Sequence, residues 1–270
     1  MTLLSINWDP SIEIFKIGSF SIRYYSLMFV IAFLLGLHIM KKIYKDEGID
    51  LEKLDSLFIY MVVSILVGAR LGHFLFYDFE FLIKHPLQVI LPFKLNPFEF
   101  TGYQGLASHG ALIAVIIAMY IYSKKVVQKP MLWTLDRIVL PVAIGGVFVR
   151  LGNLMNSEII GKPTHTDYGF IFRQLGEDFP RHPTQLYEAF GYLVTFVILR
   201  FVFWKTDKKE KLGYMFGLFM VLLWTVRFIV EFFKEAQVDN RATWDLNTGQ
   251  LLSIPLILVG FYFMYRAKKN

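Results

Sequence analysis

Apolar positions along this chain gather in runs of close to twenty residues, separated by short polar breaks. A run of roughly that length spans a bilayer as a helix. The pattern predicts helices at about Ile22–Met40, Leu54–Tyr77, Ala107–Tyr122, Trp133–Asn156, Thr184–Trp204, Gly213–Phe233 and Gln250–Tyr265. The third run is short for a span, with room to begin earlier. No internal repeat and no low-complexity stretch interrupts them. The expected fold is an all-α integral membrane protein. It is a single polytopic domain of seven transmembrane helices, with short interfacial helices in the outer segments.

Cations alternate between the breaks. Lys41, Lys42, Lys45 and Lys53 follow the first run, Lys124, Lys125 and Lys129 the third, and Lys205, Lys208, Lys209 and Lys211 the fifth; Arg266, Lys268 and Lys269 follow the last. The intervening segments are longer yet poorer: Lys16; Lys84 and Lys94; Lys162, Arg173 and Arg181; Lys234 and Arg241. The positive-inside rule then sets the N-terminus outside and the C-terminus in the cytoplasm, which an odd number of helices allows.

Composition agrees with a membrane protein: 55% hydrophobic and only 19% charged over 270 residues. The net charge of +6 sits where anionic lipid attracts it, so no nucleic-acid partner is called for. With no cysteine, disulfides, thiolate metal sites and a cysteine nucleophile on this chain are excluded. The first residues carry Asp9 and Glu13 without an early cation, unlike a cleavable signal peptide. Phe79 to Gln104 is rich in phenylalanine but broken by Pro86, Pro92 and Pro97, which disfavours a spanning helix and favours short helices in the outer interface.

This topology collects the polar residues at one depth. Tyr24 and Tyr25 open the first helix; Arg70 and His73 end the second; His109 opens the third. Arg150 and Asn153, on one helix face, end the fourth, with Glu158 just beyond it. His182, Gln185, Tyr187 and Glu188 begin the fifth; Arg227 and Glu231 lie in the outer half of the sixth. Gly145, Gly146 and Gly152 leave room for a neighbouring helix. An arginine at the middle of a membrane helix costs roughly 2.5–3.5 kcal/mol, so Arg70, Arg150 and Arg227 together cost up to about 8–10 kcal/mol if they face lipid. A shared wet cavity, opening outward, removes most of that. Two arginines make a clamp for a phosphate group. A bland reading stays open at each point: Arg227 and Glu231 as a structural i, i+4 pair, the tyrosines as interface aromatics, Arg70 and His73 as support. An H-E-x-x-H pair, a G-x-S-x-G elbow and a Walker loop are all missing. The residues alone leave a lipid-handling enzyme beside an anion transporter or a phosphatidyl transferase.

Five segments, in order, resemble the prolipoprotein diacylglyceryl transferases of bacteria: Ile22-Arg-Tyr-Tyr25, Gly105-Leu-Ala-Ser-His109-Gly110, Arg150-Leu-Gly-Asn153-Leu-Met-Asn156-Ser-Glu158-Ile-Ile-Gly161, His182-Pro-Thr-Gln-Leu-Tyr-Glu188 and Arg227-Phe-Ile-Val-Glu231. The resemblance implies transfer of the diacylglyceryl group of phosphatidylglycerol to the thiol of a lipobox cysteine in a preprolipoprotein signal peptide. Glycerol phosphate is released. It implies a multi-pass protein of the bacterial inner membrane with its site toward the outer leaflet, and no cofactor or metal. By position it makes His109, Arg150, Arg227 and Glu158 candidate catalytic residues. Tyr25, Asn153 and Gly161, with the two arginines, become candidate substrate-binding residues. The proton acceptor stays open between His109 and Glu158. The chain departs from the family pattern at Val149, Leu154, Ser108 and Leu223, the last where some members carry a tyrosine.

Overall fold

Each of the seven apolar runs forms a helix in the computed structural model, which describes residues 5–17, 20–86, 89, 93–95, 98–100, 107–235 and 246–269. Pro92, Pro97, Gln104, Gly105, Leu106 and Arg241 lie outside these residues. The helices are α1 (Tyr24–Asp46), α2 (Leu51–Tyr77), the short α3 (Phe79–Lys84), α4 (Ser108–Tyr122), α5 (Met131–Met155), α6 (Thr184–Lys205), α7 (Tyr214–Val230) and α8 (Thr248–Lys269). Among the described residues, six helical stretches are long and apolar enough to cross a membrane, and α7 is a shorter apolar one. The chain is a multi-pass membrane protein. Its outward-facing Phe, Leu, Ile and Val side chains are those a lipid-facing surface requires.

The boundaries differ from the pattern in instructive ways. α4 does not begin before Ser108; its length comes from a π-turn, Ser123–Val127, closed by Gln128 in the left-handed region. α7 stops at Val230, so Glu231 caps it instead of lying within it. In the segment Phe79–Gln104, α3 is one of the expected short helices. Phe93–Leu95 (β4) and Phe98–Phe100 (β5), by contrast, pair as an antiparallel hairpin. Phe93-Lys94-Leu95 and Phe98-Glu99-Phe100 alternate apolar and charged positions, which is the period of a strand rather than a helix.

Two small sheets were not foreseen. Glu13–Ile17 (β2) pairs antiparallel with Phe20–Arg23 (β3). Ser5–Trp8 (β1) pairs in parallel with Gly169–Phe172 (β6), which is buried throughout. Trp8 packs with Leu154, Phe170 and Phe172, and its indole Nε1 donates to the Leu154 carbonyl at 2.9 Å.

The chain divides into two compact units, Ile43–Thr134 and the remainder. Within Ile43–Thr134, α2 and α4 cross at Gly68, Gly72 and Gly110, where an added Cβ would run into the facing backbone. Small residues at such a crossing give backbones their closest approach in a membrane. Arg70 is buried here, its Nε donating to the Val89 carbonyl at 3.0 Å and its guanidinium lying over Phe74. His73 meets the Phe74 ring edge-on and lies tilted against Tyr77.

In the larger unit, α7 packs along α8 and against α6. Gly217 and Gly260 let α7 and α8 touch backbone to backbone. Asp136 on α5 is fully buried and accepts from the Gly213 and Phe216 amides at 2.6 and 2.8 Å. It therefore supplies the acceptor that the unpaired first amides of α7 need. Gly146 receives the Tyr192 ring and Gly152 the Tyr25 ring. These glycines make room for tyrosines rather than for another backbone.

Candidate functional site

Arg150 is in the last two turns of α5, Glu188 in the second turn of α6 and Arg227 in the last turn of α7. The larger unit brings these helix ends together. Arg150 Nε lies 2.7 Å from Glu188 Oε2, and Glu188 is fully buried. Lys234, just past α7 and 4% exposed, reaches Glu188 Oε1 at 3.5 Å and Glu231 Oε1 at 3.2 Å. Arg227 Nε stands 3.7 Å from Glu231 Oε1. Asn247 donates to Glu231 Oε2 at 3.2 Å and to its carbonyl at 3.0 Å. Gly249 at the start of α8 abuts the same carboxylate, so a side chain there would collide with it. One connected network therefore runs from Arg150 through Glu188, Lys234 and Glu231 to Arg227. Three cations alternate with two carboxylates along this run.

On its other side Arg150 donates from NH1 to Asn153 Oδ1 at 3.1 Å. Asn153, 3% exposed, turns its amide to Glu158 Oε2 at 3.3 Å, and Asn156 donates to Glu158 Oε1 at 2.9 Å. Tyr25 at the start of α1 faces this group; its phenol interacts with Asn153, Glu158 and Arg150. Tyr192 lies under the Arg150 guanidinium, its ring centre 5.9 Å away. Gly161 is pressed against the His182 backbone and Thr184, with no space for a Cβ. Its role in the structure is close chain packing.

Of the residues singled out from the sequence, Tyr25, Arg150, Asn153, Glu158 and Arg227 thus belong to one network, and Gly161 is bridged through its backbone to Lys234. His109 stands exposed on the first turn of α4, in the unit Ile43–Thr134.

Three contributors were not singled out. Glu188 looked like one polar residue among several at a helix start, yet it is the buried centre of the network. Lys234 counted only as a loop cation. Its spacing of three from Glu231 and seven from Arg227 was the available signal, since that spacing is one helix face. Arg181, also counted as a loop charge, holds Glu177 through two hydrogen bonds of 2.6 and 2.7 Å, Glu235 at 2.7 Å and the Gly161 carbonyl at 3.0 Å. The Glu177 hydrogen bonds, with Glu235 adding to them, raise its pKa above the ordinary arginine value. Beside it, His182 Nδ1, Tyr168 and Tyr187 close a triangle of contacts between 2.9 and 3.1 Å, backed by Phe233. Burial lowers the His182 pKa from its ordinary value.

A helical membrane protein that keeps a buried cation–carboxylate network at one end of its helices is a protein with a polar site at a membrane boundary. Comparison with known proteins gives that class a family. The family model for prolipoprotein diacylglyceryl transferase matches residues 12–266. Proteins named phosphatidylglycerol–prolipoprotein diacylglyceryl transferase are similar along nearly the whole chain. The one from Bacteroides fragilis is 44% identical over 266 residues, covering 97% of this chain and 95% of its own. Those from Chloroherpeton thalassium and Tolumonas auensis are each 38% identical, covering 98% and 97% of this chain and 95% and 98% of their own. The chain belongs to the prolipoprotein diacylglyceryl transferase family.

Proposed function

We propose that this protein moves the diacylglyceryl group of phosphatidylglycerol to the thiol of a lipobox cysteine in a preprolipoprotein signal peptide, releasing glycerol phosphate. Family membership supports the reaction. The observation that carries the chemistry is the Arg150–Glu188–Lys234–Glu231–Arg227 network at the helix ends, whose carboxylates and Lys234 are buried while its two terminal arginines are only partly so. A phosphodiester carries one negative charge, and paired arginines offer forked donors to its oxygens.

In this reading the substrate sulfur attacks the glyceryl carbon. A carbon–sulfur bond forms as the carbon–oxygen bond to phosphate breaks, and the electron pair leaves with glycerol phosphate. Arg150 and Arg227 hold the phosphate and stabilise the charge that grows on the departing oxygen, as fixed donors do when aimed at developing charge. Asn153 and Tyr25 bind glycerol or phosphate oxygens. Glu158 orients Asn153 and, through it, Arg150. His109 takes the thiol proton, a role that rests on the family resemblance. No cofactor or metal takes part.

The protein is a single polytopic domain with its N-terminus outside and its C-terminus cytoplasmic, in the bacterial inner membrane. The site lies toward the outer leaflet. The test is purified protein with phosphatidylglycerol and a lipobox peptide, followed by mass spectrometry. The expected result is a diacylglyceryl adduct on the peptide cysteine and one glycerol phosphate per adduct. An unmodified peptide overturns the reading.

A further inference from the structure

The turn that carries Glu158 has an unusual backbone. Ser157 has φ 53° and Ile159 φ 58°, both in the left-handed region. Ser157 sits where a helix commonly ends on a left-handed glycine. The Ser157 amide donates to Leu154 O at 3.0 Å and the Glu158 amide to Asn153 O at 2.9 Å, the two-bond closure of α5 that goes with that conformation. Ser157 Oγ is held by Gln174 Oε1 at 3.0 Å. Ile159 has no such precedent. A β-branched residue rarely turns left-handed, because its side chain crowds its own backbone, so something else must hold it.

Two side chains from the start of α6 do so. Gln185 Nε2 donates to the Glu158 carbonyl at 2.7 Å, and Thr184 Oγ1 donates to the Ile159 carbonyl at 3.0 Å. Both residues are fully buried. The Glu158 carbonyl lies in the peptide plane before the Ile159 Cα, and the Ile159 carbonyl in the plane after it. Tying down both planes sets φ and ψ of Ile159 together. With that turn fixed, the Glu158 carboxylate sits between Asn156 and Asn153, and Asn153 meets Arg150.

We infer that Thr184 and Gln185 are positioning residues: they hold Ile159 left-handed, keep Glu158 on the Asn153 amide, and thereby set the orientation of Arg150. The inference deepens the transferase reading above and rests on it for its effect on rate. It treats this pair of α6 residues as a clamp on strained backbone at a functional site, the place where strain is characteristically maintained by its surroundings.

The test uses Q185M and T184V, which keep shape but remove the donors, with T184S as the conservative control. Each is made alone and with I159N, since asparagine accepts the left-handed conformation far better than isoleucine. Amide hydrogen exchange over residues 153–162 reads the turn without reference to the reaction. Q185M and T184V should speed that exchange at least tenfold, T184S should leave it near wild type, and I159N added to either should restore slow exchange. Transfer assays should follow: kcat falls about tenfold or more, KM for lipid shifts less, and I159N recovers most of the loss. Unchanged exchange in Q185M and T184V, or loss that I159N fails to recover in folded protein, overturns the clamp. Exchange that changes while kcat stays at the wild-type value overturns the link to Arg150. If wild-type protein transfers nothing, the transferase reading fails, while the exchange experiment still decides the clamp.

Discussion

Arg150 Nε and Glu188 Oε2 lie 2.7 Å apart, yet neither atom makes an aligned hydrogen bond there. The attraction is between charges rather than through a directed donor. Arg150 spends a directed bond on Asn153 instead. Glu188 therefore restrains the guanidinium without using the forked geometry by which arginine grips an oxyanion.

That relationship makes Glu188 the residue whose loss should hurt twice. Glu188→Gln removes the charge opposite both Arg150 and Lys234 in a buried place. Breaking a buried pair by removing one partner costs about 3–5 kcal/mol. The expected result is a melting temperature lowered by several degrees or more in detergent, and a transfer rate down about a hundredfold if roughly 3 kcal/mol of that cost falls on the transition state, at about 1.4 kcal/mol per tenfold. Thermal unfolding and the transfer assay check it together.

Lys234 provides the third cation beside Arg150 and Arg227, against Glu188 and Glu231. Lys234→Met removes the cation that bridges Glu188 and Glu231 and leaves those two carboxylates to occupy the two arginines. The apparent KM for phosphatidylglycerol should rise roughly tenfold or more, as truncating a buried charge partner does in other polar interfaces. Measuring kcat and KM against lipid mole fraction distinguishes this from loss of folded protein.

Gly161→Ala and Gly152→Ala should differ sharply. At Gly161 the added methyl meets the His182 backbone and Thr184, which cannot move aside. At Gly152 it meets the Tyr25 ring at 2.7 Å, and a ring on a single helix turn can shift. Folded yield by size exclusion should collapse for the first. For the second it should stay near wild type, with a lower transfer rate because Tyr25 is displaced from Asn153.

His182 gives a pH dependence of known sign. Its pKa is lowered by burial among Tyr168, Tyr187 and Phe233, below the ordinary 6.5 it has in an unfolded chain. The unfolded state therefore binds the proton more readily, and stability falls as pH drops from neutral through the region just below 6.5. Arg181, the charged neighbour in sequence, stays protonated throughout. Wild-type melting temperature should decline between pH 7 and 5, with a shallower decline in His182→Gln.

Much of this was legible in the chain, for physical reasons. The seven apolar runs announced their helices because a bilayer demands length and apolarity together. Arg150, Asn153, Arg227 and Tyr25 could be placed at one depth because successive spans run in opposite directions. The sheets were hidden: β1 meets β6 across some 160 residues, and four-residue strands carry little periodicity of their own. Glu188 and Lys234 were hidden differently. A buried carboxylate and an exposed one look alike in sequence, and only the packing of α6 against α7 turns these two into the middle of a network. The left-handed Ile159 leaves no mark in sequence, because the bonds that hold it come from Thr184 and Gln185 on another helix.

In the proposed mechanism Arg150 and Arg227 grip the lipid phosphate. Its most direct test is equilibrium binding of phosphatidylglycerol to purified protein in mixed micelles, with diacylglycerol as the phosphate-free comparison. Wild-type protein should prefer phosphatidylglycerol at least tenfold. Arg150→Ala and Arg227→Ala, folded as judged by size exclusion, should each lose that preference while binding diacylglycerol as before. A preference for phosphatidylglycerol that survives both substitutions would contradict the account.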